Sequence, residues 1–517
     1  MVRRAVSRAL GRFALPLLAG AAVVAPLALQ AQTSDRTRVI VVFKHAADAS
    51  DRTAIERLDG RIKLEISQVN AIAVDVPRSA VAKIRANKRV SFVEDDVMQH
   101  AMEVSSPDST LAQEVPYGIT MVQADQVPDT PAFRKKICII DSGYETAHED
   151  LDGNNVTGEN LTTSGEWFTD ELHHGTHVGG TVSAVNNSLG VIGVMPNERV
   201  KIRIEKVFDA SGQAPSSLIA AAMTKCGQHG ANVISMSLGG GRSQMQQNVV
   251  TQLAAQNIMM FAAAGNAGNS SISYPAGFAE VISVAAVDST KAWATFSQFN
   301  ADVEVAAPGV AVKSTVPMGT GSDAKLKVGQ TNFQVIGMED SPVITRQGPL
   351  ADFGLGDTVI PGGMTGKVCL IQRGDITFAE KVQNCEASGG VGAAIYNNVP
   401  GPLNGTLAGA VTHIPSVGAD GNDGASLLAK IGKATTVGVS TSNYALFDGT
   451  SMATPHASAV ATLVWSYFPE CTAAQMRTSI DNGVEDLGDP GRDVKFGFGL
   501  VQAKKTYARI KTAGCGH

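Results

Sequence analysis

The rhythm of hydrophobic and polar positions changes three times along the chain. A strand-like VIVVF (39–43) is followed by a helix-like stretch from Arg52 to Leu58 and two alternating runs, IKLEI and AIAVDVP. A short helix pattern, SAVAKIRAN (79–87), and a last strand, VSFVEDD (90–96), complete the segment. A period near two marks strands and a period near 3.6 marks helices, so this order predicts a small α+β unit of the split βαβ, ferredoxin-like kind. Residues 97–114 are polar and unpatterned, which predicts a linker open to cleavage. From Arg134 onward, runs such as KKICIID, VKIRIEKVF, ANVISMS, IMMFAAA and EVISVAAV alternate with helical or Gly-bounded segments. Apolar runs without alternation fit strands buried on both faces, and the βα order predicts a doubly wound parallel sheet. After Pro317 the chain becomes rich in Gly, Thr and Val up to about residue 442, a β-rich block of independent-domain size. Long helical patterns then return, first from Met452 to Phe468 and later around Gln502 to Ile510.

The extreme amino terminus follows none of these patterns. Arg3, Arg4, Arg8 and Arg12 precede an apolar run from Phe13 to Leu29 and the small Ala31, without one acidic residue. A membrane anchor could have that length, but Pro16, Pro26 and the small-residue exit favour a cleaved secretory signal over residues 1–31. Secretion gives the six cysteines a meaning, since disulfides persist in oxidising compartments. Locality pairs Cys369 with Cys385 and Cys471 with Cys515, leaving Cys138 and Cys226 either bonded or as buried thiols. With 42 Lys and Arg against 48 Asp and Glu, the chain lacks the basic surplus of a nucleic-acid protein. No later stretch is long and apolar enough for stable membrane insertion.

Three segments each place one reactive side chain among small neighbours. In CIIDSGYETAHEDL a hydrophobic strand ends at Asp141, at the sheet edge where α/β proteins put their sites. In HHGTHVGGTVSA, Gly175 and Thr176 separate two histidines at the start of an apolar helix. In FDGTSMATPHASAVATLVW, Gly449 and Thr450 present Ser451 at a helix amino terminus, with Pro455 expected in the first turn. A serine hydroxyl becomes a useful nucleophile when a neutral imidazole takes its proton and a buried carboxylate fixes that imidazole's tautomer. Asn266 in FAAAGNAGN could donate its amide to the developing oxyanion. Each piece alone is more often structural. No HExxH motif or clustered Cys accompanies the histidines, so a zinc site is disfavoured.

Together, DSGYETAHEDL, HGTHVGGT, SMSLGG, AAAGN and GTSMATPHASA resemble the subtilisin-like serine proteases, in which Asp, His, the oxyanion Asn and Ser stand in that order. The resemblance spans about Val115 to Gln502 except residues 318–442. It implies that Asp141 orients His174, that His174 is the general base, that Ser451 attacks and that Asn266 helps hold the oxyanion. His177 is then a buried, hydrogen-bonded neighbour. Ser237, Leu238 and Gly239 would pair with an extended peptide. Ala263 and Gly265, within Ala262–Gly265, would line one wall of the pocket for the residue before the scissile bond, and Ser273 its floor. A small uncharged floor favours large apolar side chains. The resemblance also implies structural Ca²⁺, held by the carbonyls of Val185, Leu189 and Val191, the side chain of Asn187, Asp150 and Gln113; such an all-oxygen shell suits a hard cation.

The remaining segments resemble known companions of that family. Residues 32–103 resemble a subtilisin-type propeptide, an intramolecular inhibitor and folding domain, with self-cleavage expected between His100 and Ala112. Residues 318–442 resemble a protease-associated domain through GKVCLIQRGDITFAEKVQNCEASGGVGAAIYNN, inserted between a first catalytic part (104–317) and a second (443–517). Protein and peptide substrates are implied, with cleavage through an acyl-enzyme. Limited processing of one partner and a catalytically silent peptide-binding homologue are the alternatives. Residues 104–517 carry 26 basic and 37 acidic groups, so the expected mature chain is clearly acidic.

Overall fold

A computed structural model describes residues 36–102, 104–107, 113–401 and 403–517. The expected signal segment, 1–31, lies outside the described residues. The first unit runs β1 (Arg36–Phe43), α1 (Ala49–Glu56), β2 (Arg61–Ile66), β3 (Ala71–Pro77), α2 (Arg78–Arg85), β4 (Val90–Asp95), with an antiparallel sheet in the order β2-β3-β1-β4. Its first strand is apolar at successive positions because both sheet faces are covered. Val39, Val41 and Phe43 pack on α1 and α2 with Ile55 and Ile84, while Ile40 and Val42 face residues of the next unit, among them Ile219 and Val249.

The segment expected to be an unpatterned linker is two strands, β5 (Met98–Ala101) and β6 (Val104–Pro107). Their extended form comes from the edges they pair with and not from a hydrophobic period of their own, so nothing in the sequence pattern announced them.

The second unit contains α3 (Tyr117–Met121), β7 (Lys136–Asp141), β8 (Asn155–Asn160), α4 (His174–Ser183), β9 (Lys201–Lys206), β10 (Gln213–Pro215), α5 (Ser216–Gln228), β11 (Val233–Met236), β12 (Leu238–Gly240) and α6 (Gln244–Ala255). It continues with β13 (Met259–Ala263), β14 (Val281–Val287), β15 (Val303–Pro308) and β16 (Val312–Thr315). Seven strands form one parallel sheet in the order β15-β14-β13-β11-β7-β9-β8. Along β7, Ile137 and Ile139 enter the core layer that holds Val178 of α4, whereas Cys138 and Ile140 enter the layer that holds Ile219 and Val249. The disulfide Cys138–Cys226 joins β7 to α5 within that second layer, and Cys369–Cys385 and Cys471–Cys515 are also bonded.

The inserted block forms its own eight-stranded mixed sheet from β17 (Gly321–Val328), β18 (Thr331–Phe333), β19 (Val335–Gly337), β20 (Thr345–Asp352), β21 (Val368–Gln372), β22 (Gly392–Tyr396), β23 (Ser416–Ala419) and β24 (Ala434–Ser442), with α7 (Phe378–Ala387) and α8 (Gly424–Leu428). The chain enters it from β16 and leaves into β25 (Tyr444–Asp448), which are antiparallel partners with Thr315 opposite Tyr444. The helices α9 (Thr450–Tyr467), α10 (Ala473–Asp481) and α11 (Ala503–Ala513) close the fold. Every residue of α9 up to Ser466 is buried, which is why its sequence is apolar or small all round.

Candidate active site

The carboxyl end of the parallel sheet gathers three chain segments that lie far apart in sequence. Strand β7 delivers Asp141, fully buried, whose Oδ1 lies 2.7 Å from Nδ1 of His174 at the start of α4. That contact turns the Nδ1 proton toward Asp141, so Nε2 is the ring nitrogen able to accept a proton. Ser142 donates its backbone N–H to the same oxygen of Asp141 (2.7 Å) and its hydroxyl to Asp170 (2.7 Å). Asp170 in turn accepts the backbone N–H of His173 (2.9 Å) and of Thr176 (2.7 Å), so it caps the helix that carries His174. Sequence reading missed Asp170; its signal was an acid just ahead of an apolar helix. Gly175 is required by close approach, since a Cβ there would fall 2.2 Å from the carbonyl oxygen of Gly143.

Ser451 sits in the first turn of α9, against Ser237, which directly follows β11. Its hydroxyl donates to the Ser237 carbonyl (3.0 Å), and the Ser237 hydroxyl donates to the Ser451 carbonyl (2.7 Å). Pro455 lies in the second turn, one turn later than expected, and explains this exchange. It lacks the N–H that would bond the Ser451 carbonyl in an α-helix, and Ser237 supplies the donor instead.

Asn266 faces both partners at once. Its Oδ1 accepts from the Thr450 backbone N–H (2.9 Å) and hydroxyl (2.8 Å), which turns Nδ2 outward to donate to the carbonyl of Met102 (3.0 Å). Thr450 thus aims the amide, and the Thr450 hydroxyl also accepts the Gly265 N–H (3.1 Å). His177 is fully buried, donates Nε2–H to the Val312 carbonyl (2.9 Å) and stacks on Phe447 at 4.2 Å. Burial, followed by the neighbouring His174, pushes its pKa down to about 3, so it is neutral and poorly suited to proton transfer near neutral pH.

The chain's own residues pair with the strand expected to bind peptide. Strand β5 lies between β10 and β12, antiparallel to both, with Ala101 opposite Leu238, His100 opposite Gly239 and Gln99 opposite Gly240. Met102 then borders a cavity together with Gly240, Asn266, Ile272 and Ser273. A Cβ on Gly239 would come within 2.5 Å of Met102 Cε and 2.2 Å of the Ser273 hydroxyl, so the bare backbone of Gly239 makes the pocket wall. Ala263 is fully buried at the end of β13. Gly265 has φ +114°, and a Cβ there would strike the Gln298 side chain at 1.7 Å. Beyond Met102 the chain pairs with β25 as strand β6, with Val104 opposite Asp448 and Pro107 opposite Ala445. Strands β17 and β19 of the inserted sheet lie against β6. A cavity of about 360 Å³ opens there, between Leu172, His173 and Phe447 on one side and Met338, Glu339 and Asp340 of the insert on the other.

Residues 36–102 are also anchored by charge. Asp96 accepts the Ser217 N–H (2.9 Å) at the start of α5, and Glu94 accepts the N–H groups of Gln244 (2.8 Å) and Met245 (2.9 Å) at the start of α6. Two carboxylates thereby satisfy unpaired donors at two helix amino termini.

The expected cation ligands converge in one loop cluster. Asp150 is fully buried, its Oδ2 accepts the Val191 N–H (2.8 Å), and its Oδ1 has no hydrogen-bond partner. Burial raises its pKa to about 6. Gln113 donates to the Val185 carbonyl (3.0 Å), and Asn187 Oδ1 accepts the Leu189 N–H (2.9 Å). Gln113 therefore presents its nitrogen to this cluster, and serving as a ligand requires its amide to turn over.

With this geometry in place, comparison with known proteins is decisive. The model of the subtilase family matches residues 134–335 and 403–499, and that of the PA domain matches residues 343–427. The chain belongs to the subtilase family. It is 34% identical over 302 residues to subtilisin amylosacchariticus of Bacillus subtilis subsp. amylosacchariticus, covering 56% of this chain and 76% of that protein. It is 44% identical over 218 residues to subtilisin DY of Bacillus licheniformis, covering 40% and 77%. The crystal structure of Apa1, a psychrophilic subtilisin-like protease from the Antarctic psychrotroph Pseudoalteromonas sp. AS-11, superposes with a TM-score of 0.66 at 39% identity, covering 78% of this chain and 99% of that one. Fervidolysin from Fervidobacterium pennivorans shares the fold, with a TM-score of 0.59 at 21% identity over 92% of this chain and 61% of its own. This subtilase is accordingly a serine endopeptidase.

Proposed function

We propose that this subtilase is a secreted endopeptidase made as a precursor that cuts itself after Met102. The supporting observation is the Met102 carbonyl on the Asn266 amide at 3.0 Å, with the chain extended as β5 before it and β6 after it. A substrate in this position offers its carbonyl carbon to Ser451. The Ser451 hydroxyl exchanges the Ser237 carbonyl for Nε2 of His174, which takes its proton as the oxygen attacks. Asp141 stabilises the imidazolium, and Asn266 donates to the oxyanion, where the negative charge is greatest in the transition state. The protonated His174 then returns its proton to the leaving nitrogen, that of Glu103 in the precursor. Water repeats the sequence to release the acyl group and regenerate Ser451.

Cleavage after Met102 places the propeptide boundary one residue before the expected position 103. Ser451→Ala is expected to accumulate uncut precursor; normal processing of that variant would overturn self-cleavage. The small, uncharged surroundings of Met102, with Gly239 and Ser273 in them, support a preference for large apolar residues before the scissile bond. Secretion is supported by the arginine-led apolar segment 1–31, and among the described residues no helix is long and apolar enough to cross a membrane. The loop cluster supports calcium, because buried Asp150 keeps one carboxylate oxygen without a hydrogen-bond partner while its other oxygen binds the loop at Val191. Asp150, Asn187 and Gln113 with the carbonyls of Val185, Leu189 and Val191 would hold the ion, which supplies charge compensation and rigidity at a distance from the chemistry. For the inserted domain, its position beside β6 supports a role in admitting the part of a substrate that follows the scissile bond.

A further inference from the structure

We propose that this protease selects glutamine four residues before the scissile bond, counting Met102 as the first, through a buried amide on Gln246. The inference rests on reading residues 98–102 as a bound substrate. Gln99 occupies that fourth position, and its side chain and that of Gln246 are both fully buried. They form a reciprocal pair: Gln246 donates Nε2–H to Gln99 Oε1 (2.9 Å), and Gln99 donates Nε2–H to Gln246 Oε1 (3.1 Å). The Gln99 nitrogen also faces the carbonyls of Tyr274 (3.1 Å) and Gly241 (3.3 Å). Backbone carbonyls accept only, so the nitrogen must point toward them, and the orientation of both amides follows.

The pocket therefore presents one donor and three acceptor oxygens to the side chain, more than enough acceptors for the two N–H groups of a primary amide. Gln246 is held in place from behind. Its backbone N–H bonds the Ser243 hydroxyl (3.1 Å), which in turn donates to Glu94 (2.8 Å). A leucine or methionine at the fourth position would leave the Gln246 amide buried without its partner, and sites built around buried polar groups reject analogues that cannot pair with them. Glutamate has nearly the same shape but carries no N–H, and its second oxygen would meet two carbonyl oxygens. Of these side chains, only glutamine both accepts from and donates to the Gln246 amide.

The test is a set of peptides Xaa-His-Ala-Met-Glu-Val-Ser-Ser, with Xaa as Gln, Glu, Leu or Met, cleaved by the mature wild-type enzyme. The expected result is kcat/KM about 10–100-fold higher for Gln than for each of the others. Rates within threefold of one another, or a preference for Leu or Met, overturn the inference while leaving cleavage after Met intact. A set left uncut after Met overturns the substrate reading and the inference together. Gln246→Leu is expected to reverse the order between Gln and Leu peptides; an unchanged order in that folded variant also contradicts the proposal. The wild-type series decides the matter even if the variant does not fold.

Discussion

At the scale of single residues, the site depends on side chains that hold the reactive ones as much as on the reactive ones themselves. Thr450 binds the oxygen of Asn266 with two donors, so Thr450→Val, which removes one of them, is expected to lower kcat more than it raises KM. Asn266→Ala sets the limit for that effect, about 10²–10³-fold in kcat, a range that comes from a subtilisin and not from this geometry. Stopped assays on a peptide ending its acyl part in Met would show the split; a Thr450→Val effect confined to KM would contradict the aiming role. His177 gives a second prediction. Its folded pKa lies near 3 and its free value near 6.5, so between those values the unfolded chain binds a proton that the folded chain refuses. Stability attributable to this residue is complete above about pH 6.5 and falls by about 1.4 kcal/mol per pH unit as pH drops toward 3. His177→Gln, measured in an inactive Ser451→Ala background, is expected to flatten the acid limb of the unfolding midpoint against pH. An unchanged limb would contradict it.

At the scale of elements, side chains from elsewhere in the fold meet the amino termini of four helices: Asp170 at α4, Asn266 at α9, and the two carboxylates of Asp96 and Glu94 at α5 and α6. Asp96 and Glu94 reach α5 and α6 from the precursor segment, so Asp96→Ala or Glu94→Ala in isolated propeptide should weaken inhibition of the mature enzyme about 3–30-fold, as loss of a cap worth about 0.5–2 kcal/mol requires. Inhibition unchanged by both substitutions would show that β5 and the apolar face of β1 carry the affinity without the caps. The loop that follows α4 carries the calcium reading: chelation should lower the melting temperature and added calcium should restore it, and a melting temperature indifferent to both would remove the ion. Much at this scale was legible from sequence. Strands such as β7, β9 and β14 announced themselves as unbroken apolar runs because helices cover both faces of their sheet. Asp141, Ser451 and Asn266 were legible because each closes or opens such an element. Strands β5 and β6, Asp170 and Gln246 were not, because their roles are set by partners that the fold brings in from far along the chain.

At the scale of the whole molecule, three units converge on one bond. Strand β5, which follows the first unit, lies beside β12, the second unit carries the proposed reactive groups at the edge of its parallel sheet, and the inserted sheet borders β6. The apolar faces shared by β1 with α5 and α6 explain why the first unit would assist folding: it covers surface that a slowly forming parallel sheet would otherwise expose. Insertion between β16 and β25 leaves the two antiparallel neighbours in register, so the extra domain is accommodated without disturbing the strand that leads into Ser451. The position of the cut tests this account most directly. Mass analysis of the first fragment released by the wild-type precursor is predicted to find a carboxyl terminus at Met102, with no such fragment from Ser451→Ala. A first cut at another residue, or the same fragment from the Ser451→Ala precursor purified alone, would contradict it.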